Sequence, residues 1–345
     1  MANIKVALVG CGAVSNSHLT AWQHIPHAKI LAVCDTNSKL AARTSKEWKI
    51  PRSFTSVLEM SDFKEVTLWD ICTPINTHKD LANQAMQSGF DVLIEKPMTI
   101  TSKDAKEIVE CQKLTHRRAG VMHNWLFEPP VIKAANMVRQ GKIGDIIGVQ
   151  ISVLHTKDDP MTANSNHWSH QLPGGRLSEM LIHPIYLLRF FLGEIQVKSV
   201  EVSKVGEYPW MKHDEFFATF KTEKELAGTY ISFNAPRNAI YIDLFGQRGV
   251  IRLDIVTATL NLLPRLAMNR LNKALDATRQ SMQLLSSTFR NALTVLSNRW
   301  FDGHETCIRL FAESLVKEKE PPVTVQEGYE VVKVLEDLYT RIESL

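Results

Sequence analysis

The first third of the chain alternates short, unbroken apolar runs with helical patterns, and few folds accept that alternation. Apolar runs occupy 4–9, 29–34, 67–72 and 91–94, and helical stretches follow them to about 23 and over 40–48, 78–88 and 103–114. Gly89 falls where a helix C-cap glycine belongs. A strand that is apolar on both sides has to be covered on both faces, and a helix between successive strands supplies the crossover of a parallel sheet. The pattern predicts a doubly wound α/β unit. After about residue 123 the rhythm changes. A helix is expected over 130–140, strands over 146–154, 197–205, 215–221, 228–233, 239–245 and 250–254, and a helix over 177–191 among them. Glu223-Lys224-Glu225 and Gly246-Gln247-Arg248-Gly249 separate neighbouring strands by so little chain that antiparallel hairpins follow. Pro321-Pro322 precedes a last helix over 325–342. The expected organisation is an N-terminal domain over 1–122 and an α+β domain over 123–345 with an open, mostly antiparallel sheet.

A length of 345 residues fits this division into two domains. A hydrophobic fraction of 44% supplies a core and excludes disorder as the main state. A net charge of +3 gives no reason to expect a nucleic-acid partner. Cys11, Cys34, Cys72, Cys111 and Cys307 are odd in number and irregular in spacing, with no C-x-x-C. That argues against a disulfide framework or a structural zinc site, and for a reducing, cytoplasmic setting. The run at 4–9 is too short for a signal sequence, and no stretch reaches the ~18 apolar residues that a membrane span needs.

The segment 265–300 stands apart. Leu271, Leu275, Met282, Leu285, Phe289, Leu293, Leu296 and Trp300 recur in steps that form one helical stripe. Arg265, Arg270, Lys273, Arg279, Arg290 and Arg299 oppose only Asp276, so the rest of the chain is slightly acidic. Two readings are open. One is an inserted helical pair whose stripe packs on the second domain or a twin subunit, as most amphipathic helices of soluble proteins face a core. The other is a basic amphipathic helix that meets an anionic membrane surface or a partner.

Val9-Gly10-Cys11-Gly12-Ala13-Val14-Ser15 joins the first strand to the first helix. The first glycine permits the tight turn, and the second lets the backbone approach a pyrophosphate at the helix N-terminus. Ser15, where a third glycine is usual, is small enough for close packing. Asp35 ends the second strand, where a carboxylate accepts from a ribose 2′-hydroxyl and repels a 2′-phosphate. No arginine adjoins it, which favours NAD over NADP; a plain strand-end cap is the alternative. The third strand ends in Cys72-Thr73-Pro74, followed by Ile75-Asn76-Thr77-His78, and the fourth in Glu95-Lys96-Pro97. Ends of parallel strands such as these rim one cleft.

With these residues in place, the chain resembles the glucose–fructose oxidoreductase / inositol dehydrogenase (Gfo/Idh/MocA) family of NAD(P)-dependent enzymes. The resemblance rests on Gly10-x-Gly12, Asp35, Thr73-Pro74 with His78, and Glu95-Lys96-Pro97. It continues through Val121-Met122-His123-Asn124, Gly141-Lys142-Ile143-Gly144, Gly174-Gly175 with His183 and Gly193, Gly303-His304, and Pro321-Pro322-Val323-Thr324. Nearly the whole chain except 265–300 is covered. The resemblance implies a Rossmann domain that holds NAD through Gly10, Gly12, Ala13, Val14, Asp35, Thr73, Pro74, His78, Glu95, Lys96 and Asn124. It also implies a homodimer or homotetramer formed through the open face of the second sheet. Lys96 would be the active-site lysine, near the nicotinamide and the substrate hydroxyl, and His183 the general base. An ammonium group stabilises a developing alkoxide, and an imidazole titrates near neutral pH. Taken without the family, Lys96 could equally be a solvated strand-end lysine and His183 a core histidine.

The family's site helix usually carries Asp, then His four residues on, then Asp three further. Here Glu179, His183 and Tyr186 hold those positions on one helix face. Glu179 keeps a carboxylate one turn from His183, and Tyr186 puts an uncharged phenol where a carboxylate is usual. Leu181 stands where glycine is frequent, and Pro184 follows the histidine. His155, Asp158, Asp159, His167, Trp168, His170 and Arg176 gather before or on this helix. Trp168 and Arg176 are candidate substrate contacts, Arg176 either with an anionic group or as a solvated surface residue. The histidine spacing does not make a metal site. The expected activity is NAD-dependent hydride transfer at a secondary alcohol or ketone of a sugar, cyclitol or nucleotide sugar. Lys96 would polarise the oxygen, His183 take the proton and Glu179 orient His183. The alternative is a catalytically degenerate dinucleotide-binding sensor or assembly protein docked through 265–300.

Overall fold

The computed structural model describes residues 4–265, 269–296 and 302–345, and the chain forms two compact units. The first comprises Met1–Asn124 and Asp302–Lys333, the second Trp125–Phe301 and Val334–Leu345, so neither follows one stretch of chain.

The first unit opens with β1 (Ile4–Val9), α1 (Ser15–Gln23), β2 (Ala28–Cys34), α2 (Ser38–Glu47), β3 (Arg52–Phe54) and α3 (Val57–Ser61). It continues with β4 (Leu68–Ile71), α4 (His78–Gln87), β5 (Asp91–Ile94), α5 (Ser102–Thr115) and β6 (Ala119–Val121). The six strands are parallel in the order β3-β2-β1-β4-β5-β6. The order reverses between β1 and β4, which opens a crevice beyond their carboxyl ends. Helix starts follow from local chemistry: Asn37 accepts from the Lys39 and Leu40 N–H groups at α2, and Thr101 accepts from Asp104 N at α5. Gly89 adopts φ +92° after α4, as its expected cap role requires. The strands β3 and β6 are too short to leave a periodic signal, and sequence reading passes over both.

The second unit begins with α6 (Pro129–Arg139), β7 (Ile146–Leu154), α7 (Pro160–Ala163), α8 (Arg176–Leu192) and β8 (Gln196–Ser203). Then come β9 (Glu215–Lys221), β10 (Leu226–Ser232), β11 (Ala239–Gly246), β12 (Gly249–Asp254), β13 (Thr259–Pro264) and α9 (Arg270–Leu296). Its seven strands run β13-β12-β11-β7-β10-β9-β8, antiparallel except for the parallel β10–β7 pair. Helix α8 packs on β7 and β10 and is buried from Arg176 to Leu188, the mark of a helix inside a core. Along β9, Phe216, Ala218 and Phe220 point inward, while Phe217, Tyr230 and Phe245 leave the opposite sheet face exposed. Two further helices, α10 (Gly303–Val316) and α11 (Val325–Glu343), complete the chain. No helix of the described residues is long and apolar enough to cross a membrane.

Among its described residues the segment 265–300 holds one helix of 27 residues rather than a pair, and its apolar stripe faces away from the second domain, which leaves a twin subunit, another partner or a membrane surface to meet it. Arg299 and Trp300, expected to extend it, lie outside the described residues.

Candidate active site

Chemistry-bearing side chains gather in each unit. In the first, Gly10 has φ +93°, and a Cβ there would lie 2.6 Å from the Cys72 carbonyl oxygen. Both the turn and the neighbouring strand therefore demand glycine. A Cβ on Gly12 would meet no heavy atom within 4 Å, so the backbone there is open to an approaching group. Gly12 and Ala13 are exposed, Val14 is half-buried, and α1 begins after Val14 without a side-chain cap. Its N-terminal N–H groups can receive an anion. Asp35 ties this turn down: Oδ2 accepts from Cys11 N at 2.9 Å and Oδ1 from Asn37 N at 2.8 Å. The cap and ribose roles are compatible, since a carboxylate has about four acceptor positions.

At the ends of β4 and β5, His78 bridges the two loops. Its Nδ1 lies 3.0 Å from Pro97 O and its Nε2 2.8 Å from Thr73 O, and burial lowers its pKa. Pro74 is exposed beside them, and the Lys96–Pro97 peptide bond is cis. Glu95 is buried behind Lys96, and its Oε2 accepts from Lys96 N at 2.8 Å. The other Glu95 oxygen, Oε1, lies 2.9 Å from His18 Nε2.

His18 is a residue that sequence reading missed. It is fully buried, and its Nδ1 lies 2.8 Å from Asp70 Oδ2, which also accepts from Trp22 Nε1 at 2.7 Å. Burial opposes a charge on the ring, but the Asp70 carboxylate outweighs it and holds the His18 pKa well above its ordinary value. Burial would likewise raise Glu95, yet the hydrogen bond and charge of His18 hold its carboxyl below the usual range, with His304 and Lys96 adding to the effect. The result is a buried row, Asp70–His18–Glu95, that ends on the backbone of Lys96. His18, Asp70 and Cys72 lie close enough together to suggest a metal, but burial pushes the Cys72 thiol up to about 12 and Asp70 already occupies His18 Nδ1. His304, marked in the sequence only by the Gly303-His304 motif and given no role there, sits with its ring 6.1 Å from that of His18 and its Nδ1 3.4 Å from Asn124 Nδ2.

In the second unit, α8 places His183 and Tyr186 together, with His183 Nδ1 2.7 Å from Tyr186 Oη. Tyr186 Oη also accepts from Trp125 N at 3.0 Å, and the Trp125 ring stacks on His183 at 3.9 Å between centroids. Trp125 is another missed residue; an aromatic at the start of a domain carries no local signal of its role. Glu179 forms an ion pair with Arg176, whose guanidinium also lies 3.5 Å from Asp159 and 4.9 Å from the Phe233 ring centroid. Arg176 is thus buried with its charge met inside the unit, which removes the solvated alternative. Asp159 caps α7, His167 Nδ1 lies 2.8 Å from Ser169 Oγ, and His170 Nε2 lies 3.1 Å from Met161 O. Asp158 and Trp168 are exposed.

An open parallel sheet with a glycine turn and a strand-end carboxylate is the architecture of a dinucleotide-binding domain. The profile described as "Oxidoreductase family, NAD-binding Rossmann fold" matches residues 4–123, and "Oxidoreductase family, C-terminal alpha/beta domain" matches 135–344. The chain belongs to the Gfo/Idh/MocA oxidoreductase family, which binds NAD. It is 26% identical over 269 residues to an uncharacterized protein of Saccharomyces cerevisiae, an alignment spanning 74% of this chain and 75% of that one. It is 26% identical over 206 residues to D-apiose dehydrogenase of Paraburkholderia graminis, spanning 59% of this chain and 53% of that protein. The WlbA dehydrogenase from Bordetella pertussis, solved with NADH and UDP-GlcNAcA, shares the fold with a TM-score of 0.82 and 19% identity over 99% of this chain and 96% of that one.

Proposed function

We propose that the protein transfers a hydride between NAD and a secondary alcohol or ketone of a sugar, cyclitol or nucleotide sugar. The observation that carries this reading is the row Asp70–His18–Glu95–Lys96 at the carboxyl end of the sheet that also carries the glycine turn. The open backbone at Gly12 and the carboxylate of Asp35 fit NAD, and Asp35 disfavours a 2′-phosphate. Bound NAD supplies the hydride acceptor or donor at its nicotinamide. Lys96 places an ammonium where charge develops on the substrate oxygen, and Glu95 fixes its backbone. His183 takes the hydroxyl proton at Nε2, which requires Nδ1 to carry the other hydrogen and donate it to Tyr186 Oη. Tyr186 thereby does the orienting that the family pattern gives to a carboxylate, while Glu179 holds Arg176. The relatives named for dehydrogenation of D-apiose and crystallised with UDP-GlcNAcA support a carbohydrate substrate. The exposed face bearing Phe217, Tyr230 and Phe245 is our candidate for a homo-oligomer contact.

Lys96→Met tests the assignment. Expected is a fall in turnover of about 10²–10⁴-fold in a screen of sugars, cyclitols and nucleotide sugars. NADH binding, followed by fluorescence, should persist. Wild-type turnover in the variant refutes the role of Lys96. Tight NADH binding by the wild-type protein with no turnover across the panel shifts weight to the sensor reading.

A further inference from the structure

Helix α9 is built inside out. Its shielded positions, Asp276, Gln280, Gln283, Ser287, Asn291 and Thr294, recur every three or four residues and are all polar. They dock the helix by hydrogen bonds rather than by apolar burial. Gln283 Oε1 accepts from Leu262 N at 2.8 Å and its Nε2 donates to Leu262 O at 3.1 Å, so one side chain pairs with the edge of β13 as a strand would. Asn291 Nδ2 donates to Thr257 O at 2.9 Å. The opposite side carries the stripe from Leu271 to Leu296, with Met282 66%, Leu285 69% and Phe289 68% exposed. At ~1.5 Å per residue the stripe is a ridge about 38 Å long, more contiguous apolar surface than a chain leaves to water without a use.

Charge selects the occupant. Among the described residues, Arg270, Lys273, Arg279 and Arg290 have no carboxylate partner. Arg279 follows Leu275 by four residues and precedes Met282 by three, and Arg290 precedes Leu293 by three, so both flank the stripe. Lys133 of α6 adds a cation beside Arg290; burial and the Arg290 charge together lower its pKa. The helix's sole acid, Asp276, lies on the inner face with Oδ2 bonded to Gln280. Two copies of α9 would set cation against cation with no acid to answer them. Phosphate headgroups supply the missing charge, and acyl chains receive the stripe. We propose that α9 is an interfacial helix that docks this protein on a bilayer containing anionic phospholipid.

The test is flotation of the full chain with vesicles of phosphatidylcholine alone or with about a quarter phosphatidylglycerol. Expected is binding to the anionic vesicles only, weakened as salt screens the exposed charges. Leu285→Glu with Phe289→Glu should lower the bound fraction about tenfold or more, and Arg279→Glu with Arg290→Glu should abolish the anionic preference. Leu285 and Phe289 lie on the outer face and Arg279 and Arg290 are exposed beside it, and thermal unfolding checks that the variants keep their fold. Absence of wild-type binding, or equal binding by the Leu285/Phe289 variant, overturns the proposal. A wild-type dimer in sedimentation velocity that the Leu285/Phe289 variant dissolves, without vesicle binding, assigns the stripe to a second copy instead.

Discussion

His18 stands between two carboxylates in a site closed to water, and its ring has a proton for each of them. A buried ion row of this kind need not stabilise a fold relative to an apolar core, but removing its centre leaves Asp70 and Glu95 with charge and no counterion. His18→Ala should therefore cost about 3–5 kcal/mol in denaturant unfolding near pH 6. The pH dependence has a definite sign. The folded pKa of His18 is raised above the unfolded value of about 6.5, so its stabilisation is complete below that value. It is lost as pH rises through the folded pKa, and the gap between wild type and His18→Ala should narrow toward alkaline pH. A gap that does not change between acid and alkaline pH would show His18 to be neutral. Glu95 is depressed and works oppositely: its contribution is present above about 4.3 and lost as pH falls through the folded value. Gly10, Asp35 and Lys96 were legible in the sequence because each is defined by its distance from a strand end. His18 and Asp70 were not, because they lie 52 residues apart and only the pairing of β1 with β4 makes them neighbours.

The β1–α1 turn shows how one element divides stability from binding between two glycines. Gly10→Ala puts a Cβ against backbone atoms of Cys72 and requires positive φ, two penalties of about 1–3 kcal/mol or more together. Gly12→Ala meets nothing in the protein, so its melting temperature should stay within a degree or two of wild type. Its methyl group projects into the space where the backbone meets a pyrophosphate, so NADH affinity should fall about tenfold or more, read by fluorescence titration. If both variants lose stability equally, or Gly12→Ala binds NADH as wild type does, the division fails. At this scale the sequence was readable for most of the elements long enough to show a period. The helices over 78–88 and 103–114 and the strands over 146–154 and 215–221 lie within a residue or two of their expected bounds. The strand β3 was lost for want of length, and α10 because its glycine and histidine start was read only as a motif. The insert stayed open between two readings for a physical reason: an apolar stripe states that a helix needs a partner, and nothing in its period says whether the partner belongs to the same chain.

Across the whole molecule, the first unit is completed by chain that arrives after the second has been built. Residues Ile308 and Phe311 of α10 are fully buried, Leu315 nearly so, and α10 packs on α1. The Phe311 ring fills the space a Cβ on Gly120 would need, at 2.8 Å. Val121 N donates to Val323 O at 3.1 Å, and Arg118 Nη1 to Leu315 O at 2.7 Å, so this returning segment also closes the free edge of β6. Which sheet a segment rejoins after so long a detour is not a property of its own periodicity, and only the assembled structure shows it. Three large apolar side chains at ~1.5–3 kcal/mol each are comparable to the ~5–15 kcal/mol that holds a whole domain together. A fragment ending at residue 124 should accordingly lack cooperative unfolding and fail to bind NADH, although it contains the glycine turn, Asp35 and Lys96. The same fragment joined by a flexible linker to residues 302–333 should recover both. Thermal unfolding followed by circular dichroism, with NADH fluorescence, decides it: a cooperative transition in the short fragment would mean that α10 lies on a domain already stable without it.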